Sequence, residues 1–253
     1  NLNSMTLPMP SVCLYNACAE ASHELEHSRK YTTHVIACSH TTAKSVCSEI
    51  NHTVIYPGIS TERLVPTEDR SKKRKTLGVK PNDFLIGMIA RVEPLKRQYW
   101  LVQAMANTTN PKLKAIFVGD GPDMDHLKSI STPNCIFVGH QSDVGNWWNI
   151  IDCHCLLSTK EGCSASLFES MFCKVPMINT PVGSAADFLN ESNSFIVNTL
   201  EETIQAISQI QHTNKWAMTE LAYAEFEKRG YIKDTAKAWG DLVRRLQCQK
   251  LFL

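Results

Sequence analysis

The chain has 253 residues, of which 43% are hydrophobic, and its 26 Lys and Arg balance 25 Asp and Glu to a net charge of +1. This length suits one large domain or two modest ones. A net charge near zero does not indicate a nucleic-acid-binding protein. No stretch approaches the roughly 20 apolar residues of a membrane-spanning helix. The chain is neither small nor loop-rich, and Cys135, Cys153 and Cys155 of its ten cysteines fall in apolar runs, so we expect reduced thiols and a cytoplasmic protein. No CxxC pair would complete a zinc site, so we expect no metal site.

Residues 1–57 alternate short apolar stretches with polar ones, which predicts two or three strands and two helices. The strand candidates are Val12–Tyr15, His34–Cys38 and a short one that begins at Val54, and the helix candidates are Glu20–Lys30 and Ser39–Cys47. These few elements could not form a hydrophobic core by themselves. We therefore expect residues 1–57 to be the end of a domain that further residues or a partner protein would complete.

Residues 58–82 are charged and irregular, which predicts a linker. Their basic run, Arg70–Lys75, suits a solvated helix or linker face. The alternative is a peripheral contact with an anionic membrane surface.

From Phe84 onward, short apolar runs alternate with amphipathic helical patterns. The predicted strands are Leu85–Ala90, Lys114–Val118, Cys135–Val138, Cys153–Leu157, Val175–Asn179 and Ser194–Val197. The predicted helices are Leu95–Ala106, Asp123–Ile130, Val144–Ile151, a helix that Ser166 would cap, Glu201–Ile210 and Trp216–Gln247. Strands that alternate with helices at short spacing predict a parallel α/β sheet with right-handed crossovers.

Residues with unusual chemistry follow these strands at their carboxyl ends, the edge where open α/β sheets bind ligands. They are Arg91, Gly119–Gly121, Gly139 with His140, Ser158–Gly162 and Thr180–Gly183. Arg91 and Lys96 lie five positions apart across a strand-to-helix connection, in which Pro94 sets the turn. They are either two cations that converge on a diphosphate or two exposed surface charges.

Two glutamates, Glu161 and Glu169, stand eight positions apart behind the strand Cys153–Leu157. Glu161 falls in a loop with Gly and Ser, and Glu169 in the first turn of the helix that Ser166 would cap. A strand, a loop and a helix N-terminus hold anionic ligands in α/β proteins because free backbone N–H groups point outward there. The alternatives are a solvated loop charge at Glu161 and a capping-box glutamate at Glu169.

Five motifs occur in order and with matching spacing: Arg91-Val-Glu-Pro-Leu-Lys96, Phe117-Val-Gly-Asp-Gly-Pro122, Phe137-Val-Gly139, Glu161-Gly-(six residues)-Glu169 and Pro176-Met-Ile-Asn-Thr-Pro-Val-Gly183. Over about residues 34–240, the chain resembles the retaining nucleotide-sugar glycosyltransferases of family four (group 1 glycosyl transferases), mainly their C-terminal domain. The resemblance implies the GT-B fold, in which two Rossmann-like domains with helices on both faces of a parallel sheet meet at a cleft. It divides the chain into the incomplete end of an N-terminal, acceptor-side Rossmann-like domain (1–57), a linker (58–82), a donor-binding domain (83–230) and a C-terminal helix that packs back towards the first domain (231–253).

The resemblance implies that Arg91, Lys96 and Glu161 are the catalytic residues. Arg91 and Lys96 match the pair that grips the donor diphosphate and neutralises the leaving nucleotide, and Glu161 matches the carboxylate near the donor sugar. The implied reaction moves a hexose from a nucleotide-diphosphate sugar to an acceptor with retention of configuration. It needs no cofactor and no metal, and no dedicated general base, because the acceptor attacks the front face and the leaving phosphate takes its proton.

The implied donor-binding residues surround the nucleotide. They are Glu169 at the ribose hydroxyls, the backbone of Gly162, Cys163 and Ser164 at the sugar and phosphate, and Gly139 with His140 beside the base. The donor would be a UDP, GDP or ADP sugar, and the acceptor a glycan, a lipid-linked glycan or a small molecule. No nucleic acid is expected as a partner. A partner protein or a missing domain would cover residues 1–57. The protein could also lie peripherally at the cytosolic face of a membrane.

Three positions depart from the pattern of the family, which usually has glycine at each. Arg97 follows the lysine, Ser164 stands in the loop after the first glutamate, and Ser184 follows Val182-Gly183. Together with the incomplete first domain, these departures motivate an alternative, a non-catalytic glycosyltransferase-like subunit that acts through nucleotide binding or a partner protein. A third hypothesis is another enzyme on the same fold, such as a sugar-nucleotide epimerase or a phosphorylase.

Overall fold

Two parallel β-sheets organise the computed structural model of the protein, which describes residues 11–15, 32–46 and 51–250. The elements in chain order are β1 (Ser11–Tyr15), β2 (Thr32–Ala37), α1 (His40–Val46), β3 (His52–Val54), α2 (Arg70–Thr76), β4 (Phe84–Ile89), α3 (Gln98–Asn107), β5 (Leu113–Val118), α4 (Met124–Ile130), β6 (Cys135–Gly139), α5 (Val144–Ile150), β7 (Cys153–Leu156), α6 (Ala165–Phe172), β8 (Met177–Asn179), α7 (Ala185–Phe188), β9 (Phe195–Ile196), α8 (Leu200–Ile210), α9 (Lys215–Arg229) and α10 (Ile232–Lys250). One-turn 3₁₀ helices span Glu62–Leu64 and Pro94–Lys96. Within the described ranges, no helix combines the length and the apolar character that crossing a bilayer requires.

The larger sheet has the strand order β6-β5-β4-β7-β8-β9, and the strands of every pair run parallel. Counted from β4, this is the doubly wound Rossmann order, in which the chain first winds towards one edge of the sheet and then, from β7, towards the other. The smaller sheet has the order β1-β2-β3, also parallel. The predicted parallel α/β fold of Rossmann-like type is confirmed.

Helices cover both faces of the larger sheet because its central strand is apolar on both sides. In β4, Leu85 and Ile89 belong to one buried cluster, whereas Ile86 and Met88 belong to another. Successive strand side chains point to opposite faces, so the two clusters lie on opposite sides of the sheet. The first contains side chains of α5, α6 and α9, and the second contains side chains of α3, α4 and α8. A parallel strand buried on both faces reads as a continuous apolar run, which is why β4 could be predicted.

The two sheets are joined by contacts of α7 and α10. Asp187 of α7 accepts hydrogen bonds at Oδ2 from the backbone N–H of His40 (2.7 Å) and from the hydroxyl of Tyr56 (2.9 Å). Burial and then the charge of Asp187 raise the pKa of Tyr56 well above its ordinary value, so this hydroxyl stays a donor. Leu242 of α10 packs with Ile36 of β2. The C-terminal helix therefore lies against the smaller sheet.

The prediction that residues 58–82 are irregular is wrong for α2. Asp69 caps this helix by accepting a hydrogen bond from the backbone N–H of Lys72 (2.8 Å). The basic run is not solvated on every side: Lys72 and Lys75 are exposed, whereas Arg74 is only 5% exposed and donates to Asp152 Oδ2 (3.0 Å). Arg70 donates to the other oxygen of the same carboxylate (2.5 Å). Partners more than 70 positions away along the chain fold this segment onto the larger sheet, which local composition did not indicate.

Two predicted helices are interrupted. Arg97 has a left-handed backbone (φ 52°) that separates the 3₁₀ helix Pro94–Lys96 from α3, so the predicted helix Leu95–Ala106 begins later. The predicted helix Trp216–Gln247 is two helices, α9 and α10, because Gly230 ends the first one. A Cβ atom at Gly230 would lie 2.2 Å from the ring of Phe226, so only glycine allows this approach.

Other predicted bounds shift by a few residues. Helix α6 begins at Ala165, so Ser166 lies inside its first turn rather than at the cap, and Ser164 precedes it. The strand predicted to begin at Val54 instead ends there, as β3. The predicted helix Glu20–Lys30 and the end of the predicted helix at Cys47 lie outside the described residues.

Candidate functional site

A cavity of about 740 Å³ opens at the carboxyl edge of the larger sheet, between the connections that follow β4 and β7. The connections after the neighbouring strands β4 and β7 lead to opposite sides of the sheet and leave a crevice between them. Open α/β sheets bind ligands in such a crevice. Predicted site residues that line the cavity are Arg91, Lys96, His140, Ser164 and Glu169. A second cleft, of about 630 Å³, borders the opposite edge and contains none of the predicted site residues.

Two glycines bring the loop after β5 against the connection that contains Arg91. A Cβ atom at Gly119, whose φ is +141°, would lie 1.9 Å from the carbonyl oxygen of Ala90. A Cβ atom at Gly121 would lie 2.1 Å from that of Val92. Neither position has room for a side chain, so the Gly-Asp-Gly sequence allows the two backbones to meet and holds Arg91 at the cavity wall.

The side chain of Arg91 is 72% exposed, and its Nη2 lies 3.4 Å from the carboxylate of Glu93. Gln98 donates a hydrogen bond to the Arg91 carbonyl (2.6 Å), which orients the backbone. A long, weak ion pair leaves most donors of the guanidinium available to a ligand in the cavity.

Lys96 and Glu161 form an ion pair across the two connections, with Nζ 2.5 Å from Oε1. Their side chains are only 19% and 10% exposed. Ser158 donates a hydrogen bond to the same Glu161 oxygen (2.6 Å). The alternatives of an exposed surface charge at Lys96 and a solvated loop charge at Glu161 are therefore wrong. The structure brings these two predicted catalytic residues together.

Glu169 is buried, with 3% of its surface exposed, and its carboxylate has a partner on each oxygen. The indole Nε1 of Trp148 donates to Oε2 (2.9 Å), and the guanidinium of Arg63 donates to Oε1. Glu169 lies in the second turn of α6, and no backbone N–H of the described residues donates to its carboxylate, so the capping-box alternative is wrong. Arg63 and Trp148 were not found from the sequence, because they are 106 and 21 positions away from Glu169. The apolar Leu64 beside Arg63 was the sole local sign that this segment packs against the domain.

The loop between Glu161 and α6 is held by the turn after β8. Gly183 has φ +55°, and a Cβ atom there would lie 2.4 Å from the Glu161 carbonyl oxygen. The backbone N–H of Ser184 donates to the Gly162 carbonyl (3.0 Å). The carbonyl of Gly162 thus has a protein partner.

The three predicted backbone contacts Gly162, Cys163 and Ser164 differ in position. Of these three, Ser164 lines the cavity. Cys163 packs against the hydrophobic core, and burial raises the pKa of its thiol to about 12, so the thiol is no nucleophile near neutral pH. Ser164 is also the residue that precedes α6, and no side chain among the described residues caps this helix. The free N–H groups of its first turn are therefore open to an anion.

The predicted base-binding residues also separate. His140 is exposed and lines the cavity beside the apolar side chains of Val118 and Val144. Gly139 ends β6, and its carbonyl accepts a hydrogen bond from the backbone N–H of Gly119 (2.8 Å). His140 thus borders the cavity, while Gly139 joins the two loops that form its wall.

Arg97, the departure expected to add a side chain beside a phosphate, points elsewhere. Its guanidinium carbon lies 4.3 Å from the centre of the Trp100 ring, and the residue does not line the cavity. The left-handed backbone at this position explains why glycine is usual there. The other loop departure, Ser164, does lie at the cavity wall and donates or accepts a hydrogen bond with Ser166 (3.0 Å).

The cavity combines features that suit an anionic ligand with neighbouring hydroxyl groups. Arg91, Lys96 and the uncapped N-terminus of α6 supply positive charge and N–H donors. Glu169 supplies carboxylate acceptors, and its two oxygens have lone pairs beyond those used by Arg63 and Trp148. Among the described residues, no cluster of three or more His, Cys, Asp or Glu has the arrangement that could hold a metal ion.

Several curated bacterial proteins are similar to this chain. The N-acetyl-alpha-D-glucosaminyl L-malate synthase of Bacillus anthracis is 26% identical over 198 residues, which cover 72% of this chain and 52% of that protein. The UDP-Gal:alpha-D-GlcNAc-diphosphoundecaprenol alpha-1,3-galactosyltransferase of Escherichia coli is 26% identical over 201 residues, with the same two coverages. The chain spans about half the length of these curated relatives.

Solved structures with the same fold cover almost the whole chain. HepE of Anabaena, in complex with UDP and glucose, superposes with a TM-score of 0.82 at 23% identity and covers 93% of this chain and 71% of that one. Sucrose-phosphate synthase of Thermosynechococcus elongatus has a TM-score of 0.78 at 17% identity, with coverages of 94% and 68%. At this level of identity, the likeness establishes the GT-B fold.

The family match is more specific. Residues 83–212 match the family described as Glycosyl transferases group 1. The matched range contains the β4 and β7 connections, α6 and the cavity residues from Ile89 onward, and it makes up just over half of the chain. The chain therefore belongs to the group 1 glycosyl transferases.

Proposed function

We propose that the chain is the donor-binding part of a glycosyltransferase that moves a hexose from a nucleoside-diphosphate sugar to an acceptor. One observation carries the proposal: two cations, an uncapped helix N-terminus and a buried carboxylate line a single cavity at the switch point of the sheet. A nucleoside diphosphate has the complementary groups, because it presents a diphosphate and a ribose diol a few ångströms apart.

The diphosphate would lie between Arg91, Lys96 and the first turn of α6. Arg91 offers a planar fork that suits two phosphate oxygens, and Lys96 offers a compact point charge. The ribose hydroxyls would donate to Glu169, and the base would lie near His140 on the apolar wall of Val118 and Val144. The relatives' names favour a uridine donor as the first probe, since one of them acts on UDP-Gal and HepE was solved with UDP. GDP and ADP sugars remain candidates.

In the proposed reaction, the bond between the anomeric carbon and the phosphate oxygen breaks while the acceptor oxygen bonds to the same face of that carbon. The proton of the acceptor hydroxyl passes to the leaving phosphate oxygen, so no side chain serves as the base. Arg91 and Lys96 stabilise the charge that develops on the leaving diphosphate. These two cations take the place that a metal holds in other transferases, so we propose metal-independent transfer with retention of configuration.

Glu161 would bind a hydroxyl of the donor sugar while Lys96 and Ser158 hold its carboxylate in place. A phosphate that binds Lys96 would share or replace the contact between Lys96 Nζ and Glu161. The acceptor would be a glycan, a lipid-linked glycan or a small molecule. It would bind across the cleft, on the side of the smaller sheet.

Calorimetric titration with UDP, GDP and ADP tests the donor site. We expect one of them to bind saturably, and we expect Lys96→Met and Glu169→Gln each to weaken it by about 1.5–3 kcal/mol, the loss of one charge-assisted contact. Lys228→Gln is the matched control, because Lys228 pairs with Glu225 on α9 and does not line the cavity. Unchanged affinity in both cavity variants would show that the nucleotide binds elsewhere.

Turnover separates catalysis from the non-catalytic alternative. Incubation of the chain with the matching nucleotide sugar and a panel of acceptors, with and without EDTA, should release the nucleoside diphosphate at equal rates. Product analysis by proton NMR then gives the anomeric configuration. Nucleotide binding without release in any mixture would favour a subunit that acts through a partner, and inhibition by EDTA would contradict metal independence.

A further inference from the structure

Arg63 belongs to the segment between the two sheets, and packing fixes its position at the cavity. It lies in the one-turn 3₁₀ helix Glu62–Leu64, and Leu64 is 3% exposed. A Cβ atom at Gly145 of α5 would lie 2.8 Å from the Leu64 carbonyl group and 3.0 Å from the Arg63 carbonyl oxygen. Backbone therefore meets backbone here, so the 3₁₀ turn has little freedom relative to α5.

The residues after this turn are also bound to α5. Asn146 is 5% exposed, and its Oδ1 accepts hydrogen bonds from the backbone N–H groups of Thr67 (2.8 Å) and Glu68 (2.9 Å). Its Nδ2 donates to Asp143 Oδ2 (2.9 Å), which fixes the orientation of the amide. The segment that contains Arg63 is thus anchored to α5 at Arg63 itself and at the residues that follow it.

The guanidinium of Arg63 joins Trp148 in holding the Glu169 carboxylate. Arg63 donates to Oε1, and Trp148 donates to Oε2 at 2.9 Å. The side chain of Arg63 is 55% exposed and lines the cavity, whereas that of Glu169 is 4% exposed. Arg63 thus lies at the mouth and Glu169 at the wall, with the carboxylate clamped between two donors.

We propose that Arg63 is a positioning residue for the ribose of the donor nucleotide. With one donor on each oxygen, the Glu169 carboxylate is held in a single orientation, and the remaining lone pairs accept the 2′- and 3′-hydroxyls. Because the carboxylate is already oriented, less conformational entropy is lost when the ligand binds. The inference rests on the proposed donor site and adds that the segment between the sheets completes it and determines its preference for ribose.

A ligand comparison isolates this role. Titration uses the nucleoside diphosphate that the wild type binds and its 2′,3′-dideoxy analogue, with the wild type, Arg63→Met and Arg63→Lys. We expect Arg63→Met to weaken the ribonucleotide by roughly 10- to 100-fold and to leave the affinity for the dideoxy analogue within about twofold. Arg63→Lys keeps a cationic donor and should recover part of the ribose preference.

Arg244→Gln serves as the control, because Arg244 also pairs with a carboxylate, Asp241, but lies on α10 outside the cavity. Each variant's thermal midpoint is recorded beside its affinity, so that a loss of folded protein is not read as a loss of ribose selection. A purely structural role would move the midpoint and both ligands together.

Three results would overturn the proposal. Equal weakening of both ligands by Arg63→Met would mean that Arg63 contacts the phosphates or the base. Tighter binding of the ribonucleotide would mean that Arg63 obstructs Glu169 and that the ligand must displace it. Unchanged binding of both would leave Arg63 without a role in the site. In contrast, a wild type that binds no nucleoside diphosphate would overturn the donor site itself, and with it this inference.

Discussion

The two edges of the larger sheet use the same residue types for different purposes. At the amino edge, the guanidinium groups of Arg70 and Arg74 share the Asp152 carboxylate and also donate to main-chain carbonyls at the end of α5. At the carboxyl edge, Lys96 pairs with Glu161 and Arg63 with Glu169, Arg91 remains largely exposed, and within the described part of the chain the N-terminus of α6 has no side-chain cap. Arginines that close a helix C-terminus stabilise the fold, whereas an open helix N-terminus beside an exposed arginine is available to a ligand.

From this comparison, we expect Asp152→Asn to lower the stability of the fold and to leave nucleotide affinity unchanged. Asp152 bonds Arg74, whose side chain is 6% exposed, and accepts from the backbone N–H of Leu85 (2.8 Å). Removal of one partner of a buried ion pair leaves an uncompensated charge, so we expect the free energy of unfolding to fall by about 3–5 kcal/mol. Urea denaturation measures this change.

Asp241→Asn is the control for that experiment, because Asp241 is 56% exposed and forms a surface pair with Arg244 of the same helix. Its effect should stay within about 0.5 kcal/mol. Nucleotide affinity of the folded Asp152→Asn protein should match the wild type. A large loss of affinity with an unchanged unfolding midpoint would reverse the roles assigned to the two edges.

Between the edges, β7 contains a buried histidine that makes the fold sensitive to acid. His154 is fully buried, its ring lies 4.8 Å from that of Trp148, and its Nδ1 bonds the Gly87 carbonyl (3.1 Å). Since a carbonyl only accepts, Nδ1 bears the proton of the neutral ring. Burial lowers the pKa of His154 from 6.5 to about 4.

The unfolded chain therefore binds this proton more readily than the folded one. The contribution of His154 to stability is complete above pH 6.5 and is lost as the pH falls from 6.5 towards 4, on the order of 3 kcal/mol in total. His154→Asn retains a donor for Gly87 but does not titrate in this range. Urea denaturation between pH 7 and pH 4 should give a flatter profile for the variant, and parallel profiles would show that other groups cause the acid sensitivity.

The sequence predicted the parts of the molecule that depend on local pattern. The run Leu85–Ala90 reads as a buried strand because it is apolar throughout, and Gly119 and Gly121 follow the next predicted strand directly. Arg91 and Lys96 are five positions apart, so their proximity could also be predicted from the local sequence. The cavity they form was expected because the carboxyl ends of parallel strands share an edge.

The remainder depends on contacts between distant residues. The basic run Arg70–Lys75 has the composition of a linker, yet it is a helix that packs on the larger sheet, because Arg70 and Arg74 bond Asp152, more than 70 positions later. The neighbouring Leu64 indicates that the segment of Arg63 packs, but it does not indicate the partner of Arg63, which is Glu169, 106 positions away. Local composition indicates whether a segment can be exposed to solvent. Its actual position in the fold depends on these ion pairs with distant residues.

At the carboxyl edge, Arg91→Met is the counterpart of the Asp152 variant. The Arg91 side chain is 72% exposed and its ion pair with Glu93 is long, at 3.4 Å, so its removal should change the free energy of unfolding by no more than about 0.5 kcal/mol. Nucleoside diphosphate affinity should fall by about 1.5–3 kcal/mol, whereas affinity for the nucleoside without phosphates should be unchanged. Calorimetry with both ligands measures the difference. Equal losses for the two would place Arg91 at the base or ribose, and the division of the sheet into a structural edge and a ligand edge would then rest on Lys96 and Glu169.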